Sequence, residues 1–469
     1  MSRIRRTKIV ATLGPASDSL KVIRTLIDAG VDAVRLNFSY GDLETHGRLI
    51  DIVRDSAVEA GKDVAILQDL QGPKIRVGDL NGGSVRLRTG ASVKITSKPV
   101  QGTPARISTT YGRLAQDVSP GDRILLDDGS IELVVDKVSR GEVTCAVVHG
   151  GRLKSRKGMN LPGVSIRTSA FTSKDRRDLR FGLEHDIDAV ALSFVRAATD
   201  AEPARRVMRD VGRSVPILAK IEKPQALRNL DKVLRAFDGV MVARGDLGVE
   251  IGPEKVPSAQ KRIIRRANAL GKPVITATQM LESMTTNARP TRAEASDVAN
   301  AVLDGTDAVM LSGETAAGRY PEEAVRVMDL IVREAESLES PEVTHTLRTS
   351  RSHSICHAAV GLAQEVDASA IAALTRSGKT ARILSALRPG VPIFALCERV
   401  EVARSLSLFR GVVPISVDKL ADAEWVISQI ENELRERGLA AKRDDVVVVG
   451  SARDGPSHQT NYIRLLRVS

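Results

Sequence analysis

The 469-residue chain has few aromatic side chains and almost no cysteine. Aromatic residues make up only 3% of it, so aliphatic side chains must fill the core, as is typical of buried parallel strands and their helices. The three cysteines lie far apart without metal-binding spacing, which predicts a reducing compartment. Apolar runs of about 18 residues, which a membrane span needs, are missing, and no apolar segment follows the basic start. We therefore expect a cytoplasmic protein that binds no membrane.

Positive charge is in excess, with 69 Lys and Arg against 58 Asp and Glu and a net charge of +11. This balance favours anionic partners such as phosphorylated metabolites, nucleotides or nucleic acid. Because the aromatic platforms on which bases stack are scarce, we do not expect nucleic acid to be a partner.

A short apolar strand that opens with Asp occurs four times, at residues 31–38, 187–194, 237–244 and 306–313. Each copy follows a segment with helical spacing and ends in polar residues or glycine. Four further aliphatic strands fit between the copies, at residues 8–14, 63–69, 216–221 and 272–278. Eight strands that alternate with helices predict a TIM (β/α)8 barrel. The repeated Asp alone is also compatible with an ordinary helix–strand turn.

Two stretches depart from this pattern. Between residues 72 and 158, short alternating strands with turn signals predict a small inserted β-barrel domain. Beyond residue 340, a helix at 352–366 and strands at 370–374, 392–396 and 446–449 predict a three-layer α/β domain. The predicted domains are a barrel at residues 1–71 and 159–340, an insertion at 72–158 and a C-terminal domain at 341–469.

The active site of a TIM barrel lies at the carboxyl ends of its strands. The fifth strand ends with Lys220 and Glu222 on one face, and Asp246 follows the sixth. Two carboxylates completed by substrate and water oxygens are typical of a Mg²⁺ site. A lysine beside them would stabilise a transferring phosphoryl group. A solvated salt bridge is the alternative for the Lys–Glu pair.

Polar side chains at six of the eight strand ends favour a site for one anionic substrate over isolated surface contacts. Besides those three, the candidates are Arg35, Asn37, Ser39, Asp69, Arg244, Gly245, Thr278, Gln279, Ser312 and Glu314.

Ten segments, in unbroken order, resemble motifs of pyruvate kinase. Among them are KIVATLGPAS at 8–17, RLNFS at 35–39, QGPKIR at 71–76, DDG at 127–129 and KGMNLPG at 157–163. The others are KIE at 220–222, ARGDLG at 243–248, ATQMLESM at 277–284, RPTRAE at 289–294 and MLSGET at 310–315. The resemblance implies Mg²⁺- or Mn²⁺-dependent phosphoryl transfer from phosphoenolpyruvate to ADP, giving pyruvate and ATP in the last step of glycolysis.

The resemblance also implies roles for the strand-end residues. Glu222 and Asp246 would hold Mg²⁺, while Lys220 would stabilise the phosphoryl group in the transition state. Arg35 would bind the same phosphate.

The carboxylate end of phosphoenolpyruvate would bind at Gly245, Asp246 and Thr278. The enolate left by phosphoryl transfer must gain a proton, and Thr278, with Ser312 and Glu314 behind a water, would relay it. The nucleotide phosphates would face Asn37, Ser39, Arg76 and Lys157, and the insertion would close over them as a lid.

Some residues depart from the family pattern. Tyr40 stands where many relatives have His beside the nucleotide. Leu70, Gln71 and Lys74 stand where potassium-dependent relatives have Thr, Lys and Glu. An ammonium from Lys74 could supply the missing positive charge, so we expect activity without K⁺. The pocket concerned would be formed by Asn37, Ser39, Asp69 and Leu70.

Residues 375–380 lie between a strand and a helix, where small residues can form a phosphate nest. The family binds a phosphorylated effector there, which implies allosteric regulation; an ordinary strand–helix turn is the alternative. The effector-loop candidates are Thr375, Ser377, Gly378, Lys379 and Thr380. The segment 287–304, with Arg289 and Arg292, resembles a subunit-joining helix and implies a homotetramer, although a solvated helix face would look the same.

Two other functions were compatible with parts of this pattern. A carbon–carbon lyase acting on phosphoenolpyruvate or a 2-oxoacid would also place Glu and Asp on Mg²⁺, but it would not need Arg76, Asp128 and Lys157 around the insertion. A binding protein with an inactive site, such as an RNA binder, would not need Lys220 and Thr278.

Overall fold

The computed structural model describes residues 4–164, 166–338, 350–418, 428, 430–432, 435, 443–451 and 459–468. The chain begins with three parallel, largely buried aliphatic strands: β1 (Lys8–Thr12), β2 (Ala33–Asn37) and β3 (Ala65–Asp69). Helices α1 (Leu20–Asp28) and α2 (Leu43–Ala60) connect them. The Asp42 side chain caps α2 by accepting the Thr45 N–H, and Gly61, with φ 59°, ends it.

An inserted β domain follows β3 and includes the short α-helix α3 (Leu114–Asp117). Its strands form a six-stranded sheet in the order β11-β7-β8-β9-β5-β6 and a two-stranded sheet, around an apolar core of their own. The strands are β4 (Ser84–Leu87), β5 (Ser92–Thr96), β6 (Arg106–Ser108), β7 (Arg123–Leu126), β8 (Ile131–Ser139), β9 (Glu142–His149), β10 (Gly151–Lys154) and β11 (Met159–Asn160). Since β11 pairs with β7, this sheet reaches just beyond residue 158. The domain boundaries stay predictions.

Five more strands complete a closed parallel barrel in the order β1-β16-β15-β14-β13-β12-β3-β2. They are β12 (Ala189–Leu192), β13 (Ile217–Ile221), β14 (Gly239–Ala243), β15 (Val274–Ala277) and β16 (Ala308–Leu311). The helices of this half are α4 (Ser173–Glu184), α5 (Glu202–Val211), α6 (Pro224–Arg228), α7 (Leu230–Ala236), α8 (Arg244–Ile251), α9 (Val256–Ala269), α10 (Arg292–Leu303), α11 (Gly313–Ala316) and α12 (Pro321–Ser337). The predicted TIM barrel is confirmed, and the carboxyl ends of all eight strands meet at one rim.

The repeated Asp residues join neighbouring barrel strands at the opposite rim. Each carboxylate accepts a backbone N–H from the adjacent strand at 2.7 to 3.0 Å: Asp32 from Ile9, Asp188 from Ile66, Asp238 from Ile217 and Asp307 from Val274. They are therefore more than turn residues, because each fixes one pair of strands where the barrel begins.

The C-terminal domain packs against this amino-terminal rim. Its five-stranded sheet has the order β19-β18-β17-β20-β21, with β21 antiparallel. The elements are α13 (Arg351–Glu365), β17 (Ala370–Leu374), α14 (Lys379–Leu387), β18 (Ile393–Cys397), α15 (Val400–Leu406), β19 (Val412–Ser416), β20 (Asp445–Gly450) and β21 (Tyr462–Arg467). Both sheet faces are buried, and one core continues into the barrel interior. The predicted α/β architecture is confirmed; residues 339–349, around the predicted boundary between the barrel and this domain, lie outside the described residues.

Candidate active site

Three barrel strands meet at the Lys220 ammonium, and a fourth joins them through Asp69. Its Nζ donates a hydrogen bond to Ser193 Oγ at 2.7 Å and lies 3.2 Å from Asp69 Oδ1 and 2.9 Å from Glu222 Oε1. Two nitrogens of Arg35 each lie 2.7 Å from Asp69 Oδ2. The ends of β2, β3, β12 and β13 thus contribute to one connected cluster of charges.

Burial separates this cluster from an ordinary surface ion pair. The side chain of Glu222 is 1% exposed and that of Lys220 is 11% exposed, so the alternative of a solvated salt bridge is wrong. Glu222 Oε2 accepts the Phe194 N–H at 2.7 Å. Oε1 accepts no hydrogen bond of good geometry from the described residues, although Lys220 Nζ is close to it. One carboxylate oxygen is therefore available to a further ligand.

The charges of the cluster depend on one another. Burial alone would raise the pKa of Asp69, but Lys220 and Arg35 outweigh it and hold that pKa below its usual value. Burial alone would lower the pKa of Lys220, but Asp69 and Glu222 raise it. The pKa of Glu222 is raised, first by burial and then by the negative charge of Asp246, in spite of Lys220. A further cation beside Glu222 and Asp246 would offset the repulsion between their negative charges.

Thr278 has an uncommon backbone conformation at the end of β15. Its φ is 70°, a left-handed value that is strained for a β-branched residue. The buried Arg244 side chain stabilises it by donating to Thr278 O at 2.7 Å, while an ion pair of 2.7 Å with Asp297 holds Arg244. Thr278 Oγ1 accepts the Gly245 N–H at 2.8 Å. This places the Thr278 hydroxyl beside the first turn of α8, which also carries Asp246.

Glu314 supports the rim through backbone contacts. Its Oε2 accepts the Ser312 N–H at 2.7 Å and its Oε1 accepts the Leu281 N–H at 2.9 Å. The Ser312 hydroxyl is buried without a partner among the described residues, and Ser312 lines the cleft described below. Of these two residues, Ser312 is therefore the one with a free polar group.

The predicted nucleotide residues are divided between the barrel end of β2 and the insertion, and none of them lines the cleft described below. Asn37 Oδ1 accepts the Ser39 N–H at 3.1 Å, and Tyr40 beside them is 66% exposed. Lys157 forms a 2.8 Å ion pair with Asp127, whose hydrogen bond raises the pKa of Lys157, with smaller contributions from other groups that include Tyr40. Tyr40 thus lies on the barrel side, after β2, and Lys157 lies on the side of the insertion, between β10 and β11.

Arg76 lies at the base of the insertion, where it pairs with Gly158, and it donates to Arg156 O at 3.1 Å. A cleft of about 1400 Å³ separates the insertion from the barrel rim. Its lining includes Asp128 and Lys74 on one side, and on the other Gly245, Asp246, Thr278, Gln279 and Ser312. Lys74 forms no ion pair with any described residue. A large ligand could contact both domains in this cleft.

Three contributors were not predicted from the sequence: Ser193, Phe194 and Thr12. Ser193 and Phe194 end the second copy of the repeat, and Thr12 Oγ1 accepts a hydrogen bond of 3.1 Å from Arg35. The signal was present, because these residues end the first and fourth barrel strands. Those are the two strands to which no candidate had been assigned.

The effector-loop candidates lie far from this rim, at the junction of β17 and α14. Gly378 precedes α14 with φ 78°, Ser377 and Lys379 are exposed, and Thr375 and Thr380 are buried. Thr380 Oγ1 lies 2.9 Å from Thr460 Oγ1. The loop thus presents the Lys379 ammonium and the Ser377 hydroxyl to solvent, together with the exposed Arg376. Arg289 and Arg292 are likewise exposed, before and at the start of α10.

The geometry suits a metal ion that shares its ligands with a substrate. Among the described residues, no group of three or more His, Cys, Asp or Glu side chains could form a metal site by itself. Glu222 and Asp246 supply two carboxylates, one with an oxygen that lacks a hydrogen bond. Oxygen ligands of this kind suit Mg²⁺ or Mn²⁺, which commonly complete their coordination with phosphate and water.

Comparison with known proteins agrees with this site. A family model described as pyruvate kinase, barrel domain, matches residues 4–325, and one described as pyruvate kinase, alpha/beta domain, matches residues 353–466. A Mycobacterium tuberculosis pyruvate kinase is 47% identical over 99% of this chain and 98% of its own length. One from Corynebacterium glutamicum is 46% identical over 98% and 97%, respectively.

A crystal structure of a pyruvate kinase from Cryptosporidium parvum superposes with a TM-score of 0.93 at 37% identity. The superposition covers 99% of this chain and 96% of the Cryptosporidium parvum chain. No helix in the described part of the chain has the length and apolar character needed to cross a bilayer. The matches extend over both the barrel and the C-terminal domain, and they favour a phosphotransferase over a lyase or an inactive binding protein. The chain belongs to the pyruvate kinase family.

Proposed function

We propose that the cluster around Lys220 is where this chain carries out the family reaction, the transfer of a phosphoryl group from phosphoenolpyruvate to ADP. The observation that carries the proposal is the buried network of Arg35, Asp69 and Lys220. Asp69 holds both cations at the ends of their strands, and neither can move without breaking a buried contact of 2.7 to 3.2 Å. Two fixed cations beside a transferring phosphoryl group stabilise its charge without reorganising.

Mg²⁺ or Mn²⁺ would be held by Glu222 and Asp246. The family requires Mg²⁺ and, in general, K⁺. When bound, the metal would offset the charge of the phosphate and of the developing enolate. The Phe194 N–H orients Glu222 through one oxygen and leaves the other for the metal.

Substrate orientation and proton delivery fall to the residues on the other side of the rim. Gly245 and Asp246, in the first turn of α8, would bind the substrate carboxylate; the Gly245 N–H, which Thr278 Oγ1 accepts in this structure, would turn from that hydroxyl to the substrate. The Thr278 hydroxyl lies beside them and would deliver a proton to the enolate, with the Ser312 hydroxyl as the next member of the relay. Glu314 acts by orienting the backbone of Ser312 and Leu281, because both of its oxygens already accept N–H groups.

ADP would bind between the two domains, with its phosphates near Asn37, Ser39, Arg76 and Lys157. Tyr40 takes the place of the usual His and would contact the nucleotide from the barrel side. The experiment that tests the function is a coupled assay of pyruvate formation from phosphoenolpyruvate and ADP, with and without Mg²⁺. We expect pyruvate only with the metal, and no pyruvate under any condition would reject the proposal.

Potassium independence is a further part of the proposal. Lys74 lines the cleft together with Asp246 and forms no ion pair with any described residue, which supports its serving as the monovalent charge. In tetramethylammonium buffer with Mg²⁺, the enzyme should keep most of the activity that it has in K⁺ buffer. If the activity is lost in tetramethylammonium and returns with K⁺, this assignment fails.

Regulation and assembly complete the proposal. A sugar phosphate or nucleotide monophosphate would bind at the loop 375–380, with its phosphate near Ser377 and Lys379. The effector response should disappear in Lys379→Ala; an unchanged response would refute the assignment.

We propose a cytoplasmic homotetramer joined through the segment 287–304, which sedimentation of the purified protein tests directly.

A further inference from the structure

A second buried ion pair lies behind the proposed metal site. Lys223 Nζ is 2.6 Å from Glu250 Oε1, and the two side chains are 9% and 2% exposed. The same Glu250 oxygen accepts a hydrogen bond of 3.3 Å from Asn160 Nδ2. Asn160 belongs to β11 of the insertion, so one carboxylate oxygen joins the insertion to the barrel.

The pair connects the elements that carry both proposed metal ligands. Lys223 directly follows Glu222 at the end of β13. Glu250 lies four residues after Asp246, which places the two on the same side of α8, one turn apart. The Lys223 ammonium also lies 5.5 Å from the ring centroid of Phe194, whose N–H holds Glu222.

Stability alone does not account for such a pair. A buried ion pair is often no more stabilising than apolar residues of similar volume, because both charges must leave water. A small cavity of about 30 Å³ adjoins it, lined by Asn160, Lys223, Phe194 and Asp246, among others. The pair does, however, fix the end of β13 relative to α8. Because Asn160 binds the same Glu250 oxygen, the insertion is held to these two elements as well.

We infer that Glu250 is a positioning residue that sets the relative placement of Glu222 and Asp246 and links that placement to the inserted domain through Asn160. The inference rests on the proposed metal site. Residues that orient metal ligands from behind typically change metal affinity or activity by about 10- to 100-fold when replaced.

The test measures Mn²⁺ binding by electron paramagnetic resonance of the free ion, without substrates, together with kcat and the Mg²⁺ activation constant. Glu250→Gln should weaken Mn²⁺ binding by about tenfold or more and lower kcat. Asn160→Ala should have a smaller effect of the same sign, and the double variant should bind no more weakly than Glu250→Gln. Asn81→Ala, at an exposed asparagine of the insertion, is the matched control and should match the unaltered protein.

Wild-type Mn²⁺ binding in a folded Glu250→Gln, or a double variant whose loss equals the product of the two single losses, would overturn the inference. If Glu250→Gln does not fold, Glu250→Asp keeps the charge but draws the carboxylate back from both Lys223 and Asn160, which contact the same oxygen, so it should weaken Mn²⁺ binding at least as much as Asn160→Ala; wild-type behaviour would overturn the inference. Glu222→Gln distinguishes the two levels: if it binds Mn²⁺ normally, the metal site itself is wrong, whereas if only Glu250→Gln binds normally, only the positioning role fails.

Discussion

Replacing Arg388 with Met tests how the C-terminal domain is held to the barrel. Arg388 follows α14, is 9% exposed, and donates from one nitrogen to Asn268 Oδ1 at 2.9 Å, Gly305 O at 2.8 Å and Asp307 Oδ1 at 3.1 Å. At 3.1 Å the attraction between the two charges is about 5 kcal/mol at an effective dielectric constant of 20. Methionine retains most of the apolar volume but leaves Asp307 buried without its cation, which typically costs about 3–5 kcal/mol.

The assay is urea unfolding of Arg388→Met, Asp307→Asn and the double variant, followed by far-ultraviolet circular dichroism. We expect Arg388→Met to lose about 3–5 kcal/mol and the double variant to lose less than the sum of the single losses. Arg399→Met, at an exposed arginine, is the control and should change stability by less than about 1 kcal/mol. Additive losses, or a loss as small as that of the control, would refute the reasoning.

The same variant should respond to pH. Burial raises the pKa of Asp307 above its ordinary value of 3.8, although Arg388 opposes the shift. A raised pKa in the folded state means that the native protein takes up a proton before the unfolded chain does. The ionised carboxylate therefore costs stability at neutral pH, and this cost falls as the pH drops through the native pKa. Without Arg388 the cost is larger, so the difference from the unaltered protein should be greatest near neutral pH and shrink on acidification.

Three further predictions concern the active site and the thiols. Lys220→Met should lower kcat by about 10²- to 10³-fold or more and leave Mg²⁺ binding largely intact, because it removes a fixed cation beside the phosphoryl group; normal turnover would exclude that role. Lys74→Glu should make activity depend on K⁺, and equal rates in K⁺ and tetramethylammonium would contradict the proposed charge replacement. Ellman's reagent should not label the native protein at mildly alkaline pH, because burial raises the pKa of every thiol to about 12; rapid labelling before unfolding would contradict the burial of Cys145, Cys356 and Cys397.

Much of the barrel could be predicted because its strands are short aliphatic runs that are buried on both sides. The strand expected at 63–69 forms at Ala65–Asp69, and that expected at 216–221 forms at Ile217–Ile221. The strand expected at 370–374 forms at Ala370–Leu374. In each, burial and backbone pairing agree with the local sequence, so reading the sequence locally was enough.

The contacts of Asp69, at the centre of the site, could not be predicted from the local sequence. Asp69 was expected in a monovalent-ion pocket, and that role stays a prediction. Its role in holding Arg35 and Lys220 depends on residues 34 and 151 positions away along the chain, and on strand order around a closed barrel. Glu250 was not predicted at all, because its partners come from β11 and the end of β13. Strand ends can be identified from sequence, but which side chains meet between them depends on the assembled sheet.

The repeated strand segments contribute residues to both rims of the barrel. At its amino end each copy presents an Asp that joins it to the neighbouring strand, and two of these carboxylates contact C-terminal-domain arginines, Asp188 with Arg404 at 3.3 Å and Asp307 with Arg388. At their carboxyl ends the same two copies present Ser193 and Ser312. The five residue steps from Asp188 to Ser193, or from Asp307 to Ser312, span roughly 16 Å. The same two strands therefore connect arginines of the C-terminal domain at one end with Lys220 and the cleft at the other.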